Sequence, residues 1–276
     1  MRDPRYFQIA FLATFLLLGL FRLEFRLEPA QILLTFLAGL STQSFFLRRL
    51  RLAEAGYLSA VVTCLGLSLL VRSDAYWVHP ASAVVGIGGK FLLRARGKHL
   101  FNPANLGVVF ALLATGRAWV SPGQWGHETL VAAWVIMFGA TVVWRARRSD
   151  VSVAFLVFFL GLCAARVLWL GQRWAVLGHR LDDGSLLLFT FFMISDPRTI
   201  ADSRRGRLAM AALVAAAAFF WQFGLYRLNG LFYALFLITP TTTLWDRWWP
   251  DGAYEWTGKD KHENQLVSGR ASLLPA

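Results

Sequence analysis

Apolar residues fall in ten runs separated by short polar or basic stretches: Phe7 to Phe21, Pro29 to Leu47, Gly56 to Val71, Tyr76 to Leu93, Asn102 to Thr115, Thr129 to Trp144, Val151 to Leu170, Ser185 to Ile194, Leu208 to Tyr226 and Asn229 to Trp245. A helix that crosses a bilayer needs about 20 mostly apolar residues, so this pattern predicts an all-α polytopic membrane protein of about ten transmembrane helices. Residues 1–246 read as one transmembrane domain. The stretch 247–276 changes character, passing from Trp248, Trp249 and Pro250 into a polar run, and reads as an interfacial segment with a loose tail.

Composition narrows the class. The 276 residues are 57% hydrophobic and 16% charged, whereas a soluble domain carries roughly a quarter charged residues; a water-soluble globule is excluded. A net charge of +12 does not point to nucleic acid, because the 28 basic residues, all but four of them Arg, are scattered between the apolar runs. Their placement reports topology instead. Counted across alternate connections, 19 fall on the side of the N-terminus, seven on the other, and Lys90 and Arg166 lie inside runs. The positive-inside rule then puts both termini in the cytoplasm. The first run has a basic start like a signal peptide, but it continues into Arg22-Leu-Glu-Phe-Arg26 with no small-residue cleavage site, so it reads as a retained helix. Trp125, Trp169, Trp174, Trp245, Trp248 and Trp249 sit at the ends of runs, as an interfacial aromatic belt requires.

Two runs are short for a bilayer, the fifth at 14 residues and the eighth at 10, and short or broken segments often mark sites in membrane proteins. Each abuts a polar motif with Asn or Asp before Pro: Gly97-Lys-His-Leu-Phe-Asn-Pro-Ala-Asn-Leu-Gly107 and Met193-Ile-Ser-Asp-Pro-Arg-Thr199. One reading is helix initiation, with Asn102 and Asp196 as N-caps and Pro103 and Pro197 at the first helical position. The other is a binding site: free N–H groups at a helix start attract an anion, and Lys98, His99, Arg94 and Arg198 stand beside them.

Lys90 follows Gly86-Ile-Gly-Gly89 inside a run, where a charge either faces a cavity or snorkels to the surface. Arg166 reads as a snorkelling residue, His79-Pro80 as a polar outer element, His127 and Glu128 as a capped helix start, and Asp182-Asp-Gly184 as a turn. Cys64 and Cys163 lie in apolar runs, where a thiol packs as a small hydrophobe. No CxxC, HExxH, Walker loop or dinucleotide fingerprint is present, so no metal site and no soluble-type nucleotide enzyme is expected.

At these motifs the chain resembles the D subunit of Rnf electron-transport complexes and the B subunit of sodium-translocating NADH:quinone reductases (the RnfD/NqrB family). The most specific strings are Phe101-Asn-Pro-Ala-Asn105 and Gly184 through Phe192-Met-Ile-Ser-Asp-Pro197, the latter similar to the family's glycine-led run ending in Met-Ala-Thr-Asp-Pro. The resemblance implies a urea-transporter-like fold of two inverted halves, in a bacterial cytoplasmic membrane, that binds flavin and passes electrons near quinone. It also implies covalent FMN on a Thr in the outer region after the fifth helix, within Asp-x-x-(Ser/Thr)-Gly-Ala-Thr. Here that loop, Gly116 to Glu128, has no such motif. The near match Phe138-Gly-Ala-Thr141 has Val135 in place of the Asp and lies inside a run, so covalent FMN at Thr141 is not expected. The chain is similar to a divergent branch that includes proteins associated with enediyne biosynthesis.

The leading expectation is therefore a membrane electron-transport subunit that binds flavin (FMN or riboflavin) or quinone noncovalently and relays electrons to or from a redox or biosynthetic partner protein. Lys90, Lys98, His99, Asn102, Asn105, Asp196, Arg198 and Thr199 would form the cytoplasmic end of the site. Asn102 and Asn105, at i and i+3, would hydrogen-bond a ring edge, and Lys98 and Arg198 would hold a phosphate or polar head group. The alternatives are a transporter or channel for a small polar or flavin-like solute, and a membrane scaffold that anchors soluble enzymes through its basic loops.

Overall fold

A computed structural model describes residues 3–22, 27–52, 56–121, 129–145, 147–181, 183–252 and 254. Each apolar run coincides with a helix: α1 (Arg5–Phe21), α2 (Pro29–Arg49), α3 (Tyr57–Leu70), α4 (Val78–Leu92), α5 (Pro103–Ala114), α6 (Thr129–Arg145), α7 (Ser149–Trp169), α9 (Gly184–Leu188), α10 (Arg204–Phe219) and α11 (Gly230–Ile238). Three are long and apolar enough to cross a membrane by length and composition: Pro29–Arg49, Ser149–Trp169 and Arg204–Gly224.

The departures have local causes. The tenth run splits, because Pro240 in the 3-10 turn Thr239–Thr241 ends α11 and a separate α12 (Thr242–Trp248) follows. α9 and α10 each widen into a π-helical turn, Phe189–Met193 and Phe220–Gly224. A short α8 (Ala175–Leu181) occupies a connection with no sustained apolar run. Two small antiparallel pairings also form. β1 (Val71–Ser73) pairs with β4 (Ala118–Val120), and β2 (Arg94–Ala95) pairs with β3 (Lys98–His99) across Arg96 and Gly97, whose positive φ angles make the turn. Arg26, Pro122 through Glu128, Asp182 and the tail from Glu255 lie outside the described residues, as do the cap and turn expected there.

One order of pairing occurs twice. α2 packs on α4 and α3, α4 on α5, and α1 on α3; likewise α7 packs on α10 and the widened α9 helix, α10 on α11, and α6 on the widened α9 helix. The two sets meet where α1 touches α6 and α5 touches α11. The core is aromatic, with Phe11 stacked on Phe192 at 5.1 Å between the two sets and Phe155 against Phe189 at 5.1 Å within the second. α4 and α5 approach closely because of their glycines: a Cβ on Gly86 would overlap the Pro103 carbonyl, and one on Gly107 would lie 2.7 Å from the Ser82 carbonyl.

Candidate functional site

The two polar motifs meet. Asn102 holds an extended conformation ahead of Pro103 and caps α5, its Oδ1 accepting the Asn105 N–H at 3.0 Å. Its Nδ2 donates to Asp196 Oδ2 at 3.0 Å, which joins positions 94 residues apart. The other Asp196 oxygen accepts the Arg198 N–H at 3.0 Å, closing the turn after the broken helix 184–193. Burial pushes the Asp196 carboxyl above its ordinary range, against the pull of its hydrogen bonds from Arg198 and Asn102 and the nearby charges of Arg198 and Lys90.

His99, at the end of the β2–β3 hairpin, is held well below the usual histidine range, first by burial and then by Arg94, Lys90 and Arg198. The imidazole is therefore neutral at physiological pH. The Lys90 backbone opposes that shift, and His99 Nδ1 is buried with no hydrogen-bond partner.

His99, Asn102, Asp196 and Arg198 line a cavity of about 70 Å³. Its other walls come from α1 (Arg5, Gln8, Leu12), α3 (Ser59, Val62, Thr63, Gly66, Leu70) and the broken helix (Leu188, Phe192, Met193). Arg5 is clamped by Asp3 at 2.6 Å. Sequence reasoning missed Gln8, Ser59 and Thr63. Ser59 and Thr63, four apart in an apolar run, carried the signal of one polar helix edge.

The other four predicted residues lie elsewhere. Lys98 is not available to a head group: its Nζ sits 2.9 Å from Asp202 Oδ2, 2.6 Å from Asp246 Oδ2 and 2.9 Å from the Ile200 carbonyl, three acceptors for three donors. Asp202 is itself raised by burial, with Lys98 opposing and Asp246 reinforcing the shift. Asn105 does not share a ring-binding edge with Asn102. The capping residue is non-helical, so the i, i+3 relation fails, and Asn105 Nδ2 turns to the Phe232 carbonyl on α11 at 3.1 Å. Thr199 is fully buried and ties the turn to α12, its carbonyl accepting Thr242 Oγ1 at 2.9 Å. Lys90 is buried and does not snorkel; its Nζ lies 5.2 Å from the Phe91 ring centroid, and its charge reaches His99 and Asp196 from behind the cavity wall.

A second cavity of about 290 Å³ lies at the other end of the broken helix, lined by Asp183, Ser185 and Leu186 together with Gln222 and Asn229 through Phe232. Thr141 lies within α6, where its hydroxyl donates to the Met137 carbonyl at 2.8 Å. Cys64 and Cys163 are buried on different helices and form no disulfide, and among the described residues no three His, Cys, Asp or Glu side chains gather as metal ligands. No family model matches the chain, and no curated protein matches it.

Proposed function

We propose that this chain is a ten-span membrane protein with both termini in the cytoplasm, a divergent relative of the electron-transport D subunits. Its cavity would hold a quinone or flavin ring noncovalently while electrons pass to or from a partner protein. The observation that carries the reading is the Asn102–Asp196 bridge, which brings two distant motifs to one small, mostly apolar cavity beside a neutral histidine. The ring supplies the redox chemistry, and the protein supplies position and protons. Asp196, raised by burial, and His99, with an open Nδ1, are groups able to hold or pass a proton at a ring oxygen or nitrogen. Arg5 and Arg198 flank them and favour negative charge on a ring edge.

A cavity of about 70 Å³ is under half of the roughly 150 Å³ that encloses a benzene-sized ring, so a quinone or a flavin would enter by its polar edge with the rest of the ring outside. The topology rests on the 19-to-seven asymmetry of basic residues and on the repeated pairing order. Five elements per half is an odd number of crossings, so the second half would run inverted relative to the first.

The test is organic extraction and absorbance spectroscopy of the detergent-purified protein, before and after acid precipitation. Quinone or flavin released from wild type, and lost from folded Asp196→Asn and Asn102→Ala variants, is the expected result. A colourless protein with no extractable quinone, and no binding of added short-chain quinone, refutes the reading.

A transporter is the second reading, favoured by the 290 Å³ cavity at the opposite end of the helix that lines the first. It predicts solute flux in proteoliposomes that contain no redox partner.

A further inference from the structure

We infer that the face of α2 turned away from the rest of the protein is a groove for an anionic phospholipid, whose phosphate is held by Arg48 and Arg49 while an acyl chain lies along the helix. The inference rests on α2 crossing a bilayer and not on any ring or solute in the cavity.

Polarity on α2 is inverted relative to a helix in water. The row it buries is Gln31, Thr35, Gly39 and Gln43, ending in Leu47. Gln31 Nε2 donates to the Ser73 carbonyl at 2.9 Å, Thr35 Oγ1 lies 3.2 Å from His79 Nδ1, and a Cβ on Gly39 would overlap Cys64 Sγ. Small and polar residues are thus what lets α2 lie against α3 and α4. The large apolar side chains point the other way, with Leu33, Leu37 and Phe45 each more than half exposed. A helix of a water-soluble protein buries its apolar stripe. One that buries amides and a hydroxyl while exposing leucine and phenylalanine has hydrocarbon as its solvent.

Two adjacent i, i+4 rows on this face, Phe36 to Arg48 and Leu37 to Arg49, line an open groove of about 780 Å³. Its hollow falls at the small residues Ser41 and Ser44, and the Ser44 hydroxyl is already bonded to the Leu40 carbonyl and the Tyr57 hydroxyl. The apolar stretch from Phe36 to Phe45 rises about 14 Å along the helix axis, close to one leaflet of a hydrocarbon core about 30 Å thick. Each row then ends, about a turn further on, in arginine. Arg48 and Arg49 are exposed, and neither side chain forms an ion pair or hydrogen bond with any described residue. Their planar guanidinium forks suit phosphate oxygens. An apolar groove one leaflet deep that ends in two cations is complementary to a lipid of net negative charge; a zwitterionic lipid offsets its phosphate with its own ammonium. Free phosphate would meet the arginines but leave the apolar rows uncovered.

The test is native mass spectrometry of the full chain in detergent, titrated with dioleoyl phosphatidylglycerol or dioleoyl phosphatidylcholine. Wild type is expected to bind the anionic lipid about thirty-fold more tightly, the factor that two arginines supply toward an anionic surface. Arg48→Gln with Arg49→Gln should erase that preference, and Arg48→Lys with Arg49→Lys should keep most of it. Arg204→Gln with Arg205→Gln, an exposed pair on α10 away from the groove, should leave it unchanged. Ser41→Phe fills the hollow from an exposed position and should weaken both lipids with the arginines intact. Millimolar inorganic phosphate should not compete. Equal wild-type affinity for the two lipids, an equal loss in the Arg204 and Arg205 variant, indifference to Ser41→Phe, or displacement by phosphate each overturns the lipid groove. The wild-type comparison decides the matter even if a variant fails to fold, and none of these outcomes depends on whether quinone or flavin binds.

Discussion

Replacing Asn102 tests the joint between the two motifs, because its side chain performs two tasks that substitutions separate. Asn102→Ala removes the cap of α5, worth about 1 kcal/mol, and deprives Asp196 Oδ2 of its donor. A buried acceptor left unpaired costs roughly 1–3 kcal/mol. With Asn102 buried and Asp196 half-buried, the expected loss is about 2–4 kcal/mol. Asn102→Ser retains a capping oxygen but is too short to reach Asp196, so it should lose only the second part and unfold about 1 kcal/mol later than the Ala variant. The decisive quantity is the coupling energy in a cycle of Asn102→Ala, Asp196→Ala and the double variant, measured by unfolding in mixed micelles with tryptophan fluorescence. The 3.0 Å contact predicts a coupling on the order of 1–3 kcal/mol. Additivity within about 0.3 kcal/mol would mean that the bridge carries no energy and that the two motifs are merely neighbours.

Lys98→Met should destabilise by about 3 kcal/mol, since it strands the Asp202 and Asp246 carboxylates at 9% and 17% exposure; limited proteolysis should then cut near α12 first. Gly86→Ala should cost about 1–3 kcal/mol by forcing α4 and α5 apart, read as a lowered unfolding midpoint. Acid should weaken the protein through His99, whose folded value lies well below 6.5: its contribution is complete above that unfolded value and is lost as pH falls through the folded one. A His99→Gln variant should show a flatter acid limb. Asp196 acts in the opposite sense. Its folded value is raised, so its contribution is complete below the unfolded value of about 3.9 and is lost as pH rises through the folded one. Asp196→Asn should remove that loss, which a pH series of unfolding midpoints would reveal.

The helices are legible because each is an apolar run bounded by polar residues, and the cap at Asn102 follows from local chemistry that a sequence displays. The split of the tenth run falls at Thr239-Pro-Thr-Thr-Thr243, a proline among threonines inside a stretch read as one run from Asn229 to Trp245. Within the site, legibility ended where partners became distant. Lys98 stood beside His99 in a basic stretch, and nothing local announced Asp202 and Asp246, 104 and 148 positions away in the chain, which occupy it. Asn105 failed for a different reason: helical spacing was applied to a residue pair of which one member, as a cap, is not helical.

The site's position follows from the shortness of α5. Its 12 residues span about 18 Å, well short of a hydrocarbon core of about 30 Å, so any membrane crossing there must be completed by non-helical backbone. Such backbone is tolerated only where its N–H and C=O groups find partners. The chain meets that demand at both ends of α5. Before it, the β2–β3 hairpin pairs Arg94 with His99; after it, β4 pairs with β1, and the Ser121 N–H reaches the Leu70 carbonyl at 2.8 Å. The broken helix 184–193, at ten residues, leaves the same deficit, and the turn closed by Asp196 fills it. Two short helices whose ends are completed by polar loops bring Asn102 and Asp196 together, and the buried amide and half-buried carboxylate satisfy one another at 3.0 Å. The cavity is thus a consequence of two deficits in helix length meeting face to face, and lengthening either helix with apolar residues should abolish it before it disturbs the packing of α2 on α4 or α7 on α10.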